Sequence, residues 1–184
     1  MLIRPAIQDD LVTLNDLYNH YVRETPVTFD IEPITMDQRH AWFGHYDVVG
    51  RHRLLVAVAD ELLLGYATSS PWHARRAYET SVETSIYLAP DATGRGIGTA
   101  LYARLFDELD GEDVHRAYGG MTIPNPASVA LHERFGFARV AYFTEQGRKF
   151  GRYWDVAMYE KPLAEAERGA AAASDSLKEA GRSE

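Results

Sequence analysis

The sequence predicts an α/β domain built on a mixed sheet rather than on a regular alternation of strands and helices. Three observations indicate this class. The apolar patterns follow the order strand, two helices, three strands, helix, strand, helix and two strands. The length of 184 residues suits one domain. A hydrophobic content of 46% with 25% charged residues is ordinary for a globular protein.

The first half of the chain begins with a short predicted strand at 2–6. The helix after it is marked by apolar residues at helical spacing, which are Leu14, Leu17, Tyr18 and Tyr21. Thr35 and Gln38 have the spacing of a capping box, in which each side chain binds the other residue's backbone N–H, and they predict a second helix. Apolar runs at 54–59 and 62–67, separated by two acidic residues, predict a hairpin.

The middle of the chain joins a strand to a helix through a glycine-rich turn. The strand at 82–88 is stopped by Pro90, and the turn covers 94–98. One face of the following helix is marked by Ile97, Leu101, Leu105 and Leu109. Gly111 is expected to end this helix, since glycine adopts the left-handed conformation that closes many helices.

The last elements are a strand at 115–123, a helix and two further strands. Asn125, followed by proline, is a strong helix start because Asn caps the free amides and proline suits the first turn. This helix is expected to end near Gly136. Strands at 137–144 and 153–159 complete the predicted sheet.

Composition limits the classes of function and sets the expected domain boundary. The domain is predicted to cover 1–163, whereas 164–184, rich in Ala, Glu, Ser and Gly, is predicted to be a low-complexity, disordered tail. A net charge of −8 repels phosphate backbones and argues against a nucleic-acid partner. No secretory signal pattern and no apolar run of about 20 residues occurs. We therefore expect a cytoplasmic protein with no membrane partner.

The sequence contains none of the patterns that indicate thiol, metal or serine-hydrolase chemistry. The chain has no cysteine, so it has no disulfide and no thiolate nucleophile. It contains no His-Glu-x-x-His motif, and His40 and His45 are spaced five apart, which does not suit one helical face, so no metal site is predicted. The Gly-x-Ser-x-Gly turn of serine hydrolases is missing as well.

The glycine-rich turn is the most informative segment. Glycines let a ligand approach the backbone closely, and the helix start offers unpaired N–H groups that suit a pyrophosphate. A dinucleotide fingerprint needs a further glycine where Thr99 stands, and no Gly-Lys pair of a P-loop occurs. On its own, the turn is equally compatible with a plain strand-to-helix connection.

Four segments together resemble a known family. The stretch Thr93-Gly94-Arg95-Gly96-Ile97-Gly98 resembles the acetyl-CoA motif of the GNAT N-acetyltransferase superfamily, with Thr93 in place of the usual Gln or Arg. The stretch from Asn125 to Phe137 resembles the second GNAT signature. Segments 72–87 and 147–156 resemble the branch of phosphinothricin acetyltransferases and L-amino acid N-acyltransferases. The likeness runs from Ile3 to about Leu163.

The resemblance implies a GNAT fold and an activity. The fold would be a twisted, mostly antiparallel mixed sheet of about seven strands flanked by about four helices. The activity would be direct transfer of acetyl from acetyl-CoA to the amine of a small amino-acid-like acceptor such as phosphinothricin, methionine sulfoximine or methionine. Homodimers are usual in this branch, so a homodimer is expected. The alternatives are another amine acceptor (a peptide N-terminus, polyamine or aminoglycoside) and a non-catalytic acyl-CoA-binding module.

Three residues are the candidates for the chemistry. An amine must lose a proton before it attacks a thioester, and Glu83, an acidic residue in an otherwise apolar strand beside Ser85 and Tyr87, is the candidate base. The alternative is a solvent-facing Glu on an edge strand. The resemblance implies that His132 protonates the departing thiolate and that the N–H of Leu88 binds the thioester oxygen. A helix-face His held by a carbonyl or by its neighbouring Glu is the alternative for His132.

The remaining candidates bind the two substrates. The residues expected to contact acetyl-CoA are Ile86, Tyr87, Leu88, Thr93, Gly94, Arg95, Gly96, Ile97, Gly98, Thr99, Asn125 and Ser128. A bidentate Arg suits an amino-acid carboxylate. The residues expected at the acceptor are accordingly Arg75 with Phe29, Trp72, Tyr78, Lys149 and Trp154. Core packing or a surface role is the alternative for each of these, and a helix cap alone is the alternative for Asn125.

Overall fold

A computed structural model describes residues 1–163, and the predicted tail at 164–184 lies outside them. Within these residues the chain forms one seven-stranded sheet and four α-helices. The strands are β1 (Leu2–Pro5), β2 (Arg53–Ala59), β3 (Leu62–Pro71), β4 (Ser81–Leu88), β5 (Arg116–Ile123), β6 (Ala138–Lys149) and β7 (Arg152–Pro162). The helices are α1 (Leu11–Glu24), α2 (Met36–Phe43), α3 (Ile97–Leu109) and α4 (Pro126–Arg134). The predicted element order is confirmed.

The sheet is mixed but mostly antiparallel, as expected. Its strand order is β1-β2-β3-β4-β5-β7-β6, and β4–β5 is its one parallel pair within residues 1–163. The parallel pair follows from topology, because α3 crosses over between the two strands. In the described part of the chain, no helix is long and apolar enough to cross a membrane.

Helices cover both faces of the sheet. Strand β2 shows the division, because Leu54 and Val56 pack with α1 in one apolar cluster while Leu55 and Ala57 belong to the cluster that contains α3. This is the alternation expected of a strand buried on both faces. Tyr87 of β4 packs against the α1 cluster. Alternation along β4 therefore places Glu83 on the face covered by α1 and α2.

Local signals at three boundaries are confirmed. Thr35 and Gln38 form both bonds of the capping box. The side chain of Asn125 accepts a hydrogen bond from the N–H of Ser128. The hairpin of β2 and β3 turns at Asp60 and Glu61, whose φ values are 49° and 64°.

The predicted strand at 137–144 ends too early. Strand β6 continues to Lys149, with a register shift between Phe143 and Gly147. Glu145 has a φ of 51° in this irregular stretch, so the alternation that marks a strand is interrupted there. The real turn follows at Phe150 and Gly151, both with positive φ.

Candidate active site

A cleft opens where β4 and β5 part. Their parallel pairing covers only Ser81–Glu83 against Arg116–Tyr118. Beyond it lies a cavity of about 210 Å³. Six predicted cofactor residues line the cavity, and they are Ile86, Tyr87, Leu88, Thr93, Asn125 and Ser128. His132 lines it too. The structure thus brings together residues from β4, the bend after it and α4.

The β4 wall of the cleft presents unpaired backbone groups. The N–H of Ala89 donates to the carbonyl of Leu64 at 2.9 Å, so Ala89 and every second residue before it bond to β3. Ile86 and Leu88 alternate with these and direct their N–H and C=O groups toward the cleft, where β5 has already left. Such a strand edge can pair with an extended amide-bearing ligand.

The glycine-rich bend lies at the mouth of this cleft. Gly94 and Gly96 have φ values of 71° and 78°, and a Cβ added at either would meet nothing within 4 Å. The first intrahelical bond of α3 runs from Ala100 to Gly96 at 3.0 Å. The preceding amides, including those of Ile97, Gly98 and Thr99, therefore have no helical acceptor and are available to an anion.

Three of the residues predicted to contact the cofactor at the bend differ in what they can offer a ligand. The side chain of Ile97 is buried in the core, so this residue offers its backbone alone. Arg95 is exposed and its guanidinium reaches the carbonyl of Asp91 at 3.5 Å, which leaves it free to turn toward a phosphate. The hydroxyl of Thr93 donates to the carbonyl of Pro90 at 2.9 Å and closes the short turn before the bend.

Glu83 lies in the middle of the sheet, so its interpretation as a residue of an edge strand is wrong. Its backbone lies between Ser70 of β3 and Tyr118 of β5. Its side chain is half-buried. Burial raises the pKa of the Glu83 carboxyl above its ordinary value of 4.5, and the nearby His73 acts in the opposite direction. Among residues 1–163 no basic side chain forms an ion pair with it.

His132 is almost fully buried, with 3% of its surface exposed. Its Nδ1 lies 2.8 Å from the carbonyl of Ser128, and its Nε2 lies 3.0 Å from the hydroxyl of Tyr102. Nδ1 must carry a proton to bind a carbonyl, so Nε2 of the neutral ring accepts from Tyr102. Burial lowers the pKa of His132 below its ordinary 6.5. The carbonyl contact foreseen as its alternative role is present, together with exposure to the cavity.

Gly119 makes room for this imidazole. A Cβ at position 119 would lie 2.7 Å from Nε2 and 2.9 Å from Cδ2 of His132. Any larger residue there has to displace the ring. A glycine inside a strand often marks such a close approach, and this signal was available in the sequence.

Three of the predicted acceptor residues lie in the segment that joins β3 to β4. Trp72 follows β3, and its ring stacks on Tyr118 with centroids 4.5 Å apart. Tyr78 meets His73 edge to face at 5.0 Å. Arg75 lies between them in the chain and is exposed, so its guanidinium is accessible to a ligand from solvent.

The other three predicted acceptor residues meet at the hairpin of β6 and β7. The ammonium of Lys149, 4% exposed, donates to the carbonyl of Thr28 at 2.7 Å. The indole of Trp154 donates to the carbonyl of Lys149 at 3.0 Å. Phe29 packs against Gly147, where an added Cβ would lie 2.2 Å from its ring. These contacts join the loop between α1 and α2 to the hairpin, and no residue of this group lines the cavity among those described.

Some residues of the cavity were not identified from the sequence. Tyr21 and Val27 line it from the α1 side, and Met121 and Leu131 line it from β5 and α4. Tyr21 belongs to the helical apolar pattern and looks like an ordinary core residue. Residues 1–163 contain no group of three or more His, Cys, Asp or Glu side chains placed to hold a metal ion.

Comparisons with known proteins agree with this geometry. The sequence profile of the acetyltransferase (GNAT) family matches residues 14–137. The phosphinothricin N-acetyltransferase of Streptomyces coelicolor is 59% identical over 163 residues, which is 88% of this chain and 95% of that protein. The L-amino acid N-acyltransferase MnaT of Escherichia coli is 33% identical over 165 residues, covering 90% and 95%.

A solved structure extends the likeness to three dimensions. The yncA acetyltransferase from Salmonella typhimurium, determined with its cofactor acetyl-CoA, superposes with a TM-score of 0.85 at 31% identity. The match covers 89% of this chain and 94% of that one.

Proposed function

This chain belongs to the GNAT family of acyl-CoA-dependent N-acyltransferases, and we propose that it acetylates the amine of a small amino acid such as phosphinothricin, methionine sulfoximine or methionine. We propose residues 1–163 as the catalytic unit. The observation that carries the proposal is the cleft between β4 and β5, with the backbone N–H groups of Ile86 and Leu88 directed into it and a glycine-rich helix start at its mouth.

The residues of the cleft fit acetyl-CoA. The free amides of α3 suit the pyrophosphate, and the unpaired edge of β4 suits the two amides of the pantetheine arm. Gly98 lies against the walls of the cleft, because an added Cβ would lie 3.4 Å from the side chains of both Ile86 and Leu131. Bound acetyl-CoA supplies an activated thioester. Asn125 and Ser128 then lie on the α4 side of the arm, where Asn125 also caps its helix.

Glu83 is the proposed base. It takes a proton from the acceptor ammonium, directly or through one water, so that the free amine attacks the thioester carbon. Burial raises its pKa, which makes it a better proton acceptor than an exposed glutamate. The absence of an ion-pair partner among residues 1–163 keeps the carboxylate available.

The N–H of Leu88 and the side chain of His132 complete the proposed machinery. The N–H faces the cleft and can donate to the oxygen on which negative charge develops. After the amine has attacked, its nitrogen must lose a second proton. We propose that Nε2 of the neutral His132 ring, once released from the Tyr102 hydroxyl, takes this proton and passes it to the thiolate sulfur as the carbon–sulfur bond breaks.

The acceptor is proposed from chemistry and from the relatives. Arg75 is exposed in the segment that leads into β4, the strand of Glu83, and it offers a bidentate partner to a carboxylate. Trp72 and Tyr78 lie on either side of it in the chain. The relatives from Streptomyces coelicolor and Escherichia coli are named for phosphinothricin and L-amino acids. We propose the same class of acceptor for this chain.

A homodimer is proposed as the working assembly. β6 is an edge strand of the sheet. It exposes an apolar row whose members are Val140 at 55%, Tyr142 at 44% and Phe143 at 43%. Long apolar edges invite pairing with another chain. Light scattering at several concentrations tests this, and a monomer throughout would refute it. The cytoplasmic location stays a prediction.

The function is tested in two steps. Calorimetry with acetyl-CoA tests the cleft, and folded protein without measurable affinity would refute the acetyl-CoA proposal. A thiol-release assay with phosphinothricin, methionine sulfoximine, methionine, a peptide, a polyamine and an aminoglycoside then tests the acceptor. Turnover confined to the last three would refute the amino-acid assignment, and binding without turnover on any acceptor would indicate a non-catalytic module.

A further inference from the structure

A tyrosine hydroxyl forms a hydrogen bond with the backbone at the end of β4 that borders the cleft. The side chain of Tyr21, from the last turns of α1, donates to the carbonyl of Leu88 at 2.7 Å. The two residues lie 67 positions apart in the sequence. This carbonyl faces the cleft, where no strand is available to bind it, and Tyr21 itself lines the cavity.

The ring of Tyr21 is fixed as well as its hydroxyl. It meets Tyr87 edge to face with centroids 5.2 Å apart, and Tyr87 in turn stacks on Tyr66 at 5.3 Å. Burial raises the pKa of Tyr21, so the hydroxyl stays protonated and remains a donor at neutral pH. A side chain held at both ends transmits its position to the group that it binds.

We infer that Tyr21 is a positioning residue for acetyl transfer, which holds the terminal peptides of β4 so that the N–H of Leu88 points at the thioester oxygen. The N–H and the C=O of one strand residue point to the same side, so fixing the carbonyl of Leu88 also orients its N–H. Donors of this kind act through alignment set before the reaction. The inference rests on the proposed function, because it assigns Tyr21 to that same site.

Tyr18 provides a matched control. It lies one turn earlier on α1, and its ring also packs edge to face on Tyr87, at 5.3 Å. Its hydroxyl, however, donates to Asp30 at 2.7 Å and shares a bond with Thr28 at 2.8 Å. Tyr21→Phe and Tyr18→Phe thus each remove one hydroxyl beside Tyr87, but only the first frees the carbonyl of Leu88.

The experiment compares both variants with the unchanged protein. For Tyr21→Phe we expect kcat to fall about tenfold, as for a misaligned oxyanion donor, while affinity for CoA without an acyl group stays within about twofold. Tyr18→Phe should keep its kcat within about twofold, although its acceptor KM is free to rise. The amide ¹⁵N resonance of Ala89, whose nitrogen shares a peptide with the Leu88 carbonyl, should shift in Tyr21→Phe alone.

Two results would overturn the inference. One is equal kcat for the two variants, and the other is a loss of CoA affinity in Tyr21→Phe as large as its loss of kcat, which indicates a general disturbance of the fold. If the unchanged protein binds and turns over acetyl-CoA, either result refutes the role of Tyr21 alone. If the unchanged protein does not bind acetyl-CoA, the proposed function falls first, and this inference falls with it.

Discussion

Replacement of Glu83 by Gln is the most direct test of the chemistry. Gln has nearly the same shape but cannot accept the ammonium proton, so only the basic function is lost. Positioned general bases contribute about 10²- to 10⁴-fold. The carboxylate of Glu83 is half-buried and has no ion-pair partner within residues 1–163, so kcat should fall at least about 100-fold. Acetyl-CoA affinity should be kept, because the residues proposed to bind the cofactor begin at Ile86 and do not include Glu83.

The direction in which kcat/KM changes with pH provides a second test of Glu83 as the base. Burial raises the pKa of Glu83, so kcat/KM of the unchanged protein should rise with pH through a midpoint above 4.5. This limb should disappear in Glu83→Gln. The free energy of unfolding of the unchanged protein should fall as the pH rises, because ionising a buried acid whose folded pKa is raised weakens the fold. The variant should therefore gain thermal stability relative to the unchanged protein at pH 8 and lose that advantage below pH 4.5.

The assay is thiol release at saturating acetyl-CoA, with calorimetry of acetyl-CoA binding beside it. Glu79→Gln is the matched control, because Glu79 is an exposed residue of the segment before β4. It should keep full activity. If Glu83→Gln turned over within about threefold of the control, the carboxylate could not be the base and the amine would have to lose its proton elsewhere.

Three further changes test separate parts of the site. Gly119→Ala places a Cβ 2.7 Å from Nε2 of His132, so it should lower kcat while calorimetry shows that acetyl-CoA affinity is retained. An unchanged kcat would mean that the added methyl group is accommodated without moving the imidazole. Lys149→Met removes the bond to the carbonyl of Thr28 and should reduce the free energy of unfolding in urea by about 2 kcal/mol, the size expected for a buried charged hydrogen bond. Arg75→Ala should raise the KM of an amino-acid acceptor at constant acetyl-CoA affinity, and an equal KM would remove Arg75 from the acceptor site.

Local chemistry made much of the fold predictable. The capping box at Thr35 and the Asn125 cap each depend on residues within three positions of one another, and both are confirmed. The apolar runs at 54–59 and 62–67 predicted two strands of one hairpin, and β2 and β3 pair in this way. The irregular stretch around Glu145 was not predictable, because a register shift breaks the alternation on which strand prediction depends.

The candidate site was predictable only where its residues lie in one segment. The strand, bend and helix from Ile86 to Thr99 formed a continuous pattern in the sequence, and Ile86, Tyr87, Leu88 and Thr93 of this segment line one cavity. The bond between Tyr21 and Leu88 spans 67 residues, and the packing of Gly119 on His132 joins two elements. Helical spacing identifies Tyr21 as facing inward but does not show which group its hydroxyl meets. A glycine inside a strand indicates a close approach at position 119 but does not show that His132 is the partner.

The sheet can open between β4 and β5 only if the backbone groups at the opening find other partners. Buried backbone groups without partners cost free energy comparable to a lost hydrogen bond. The strands diverge after Glu83, yet the sheet keeps its continuity at β3–β4 and at β5–β7. At the open edge, the carbonyl of Leu88 is satisfied by Tyr21, whereas its N–H stays directed at the cavity. The fold thus satisfies the carbonyl with the hydroxyl of Tyr21 and leaves the N–H facing the cavity, which is the polarity that the proposed oxyanion site requires.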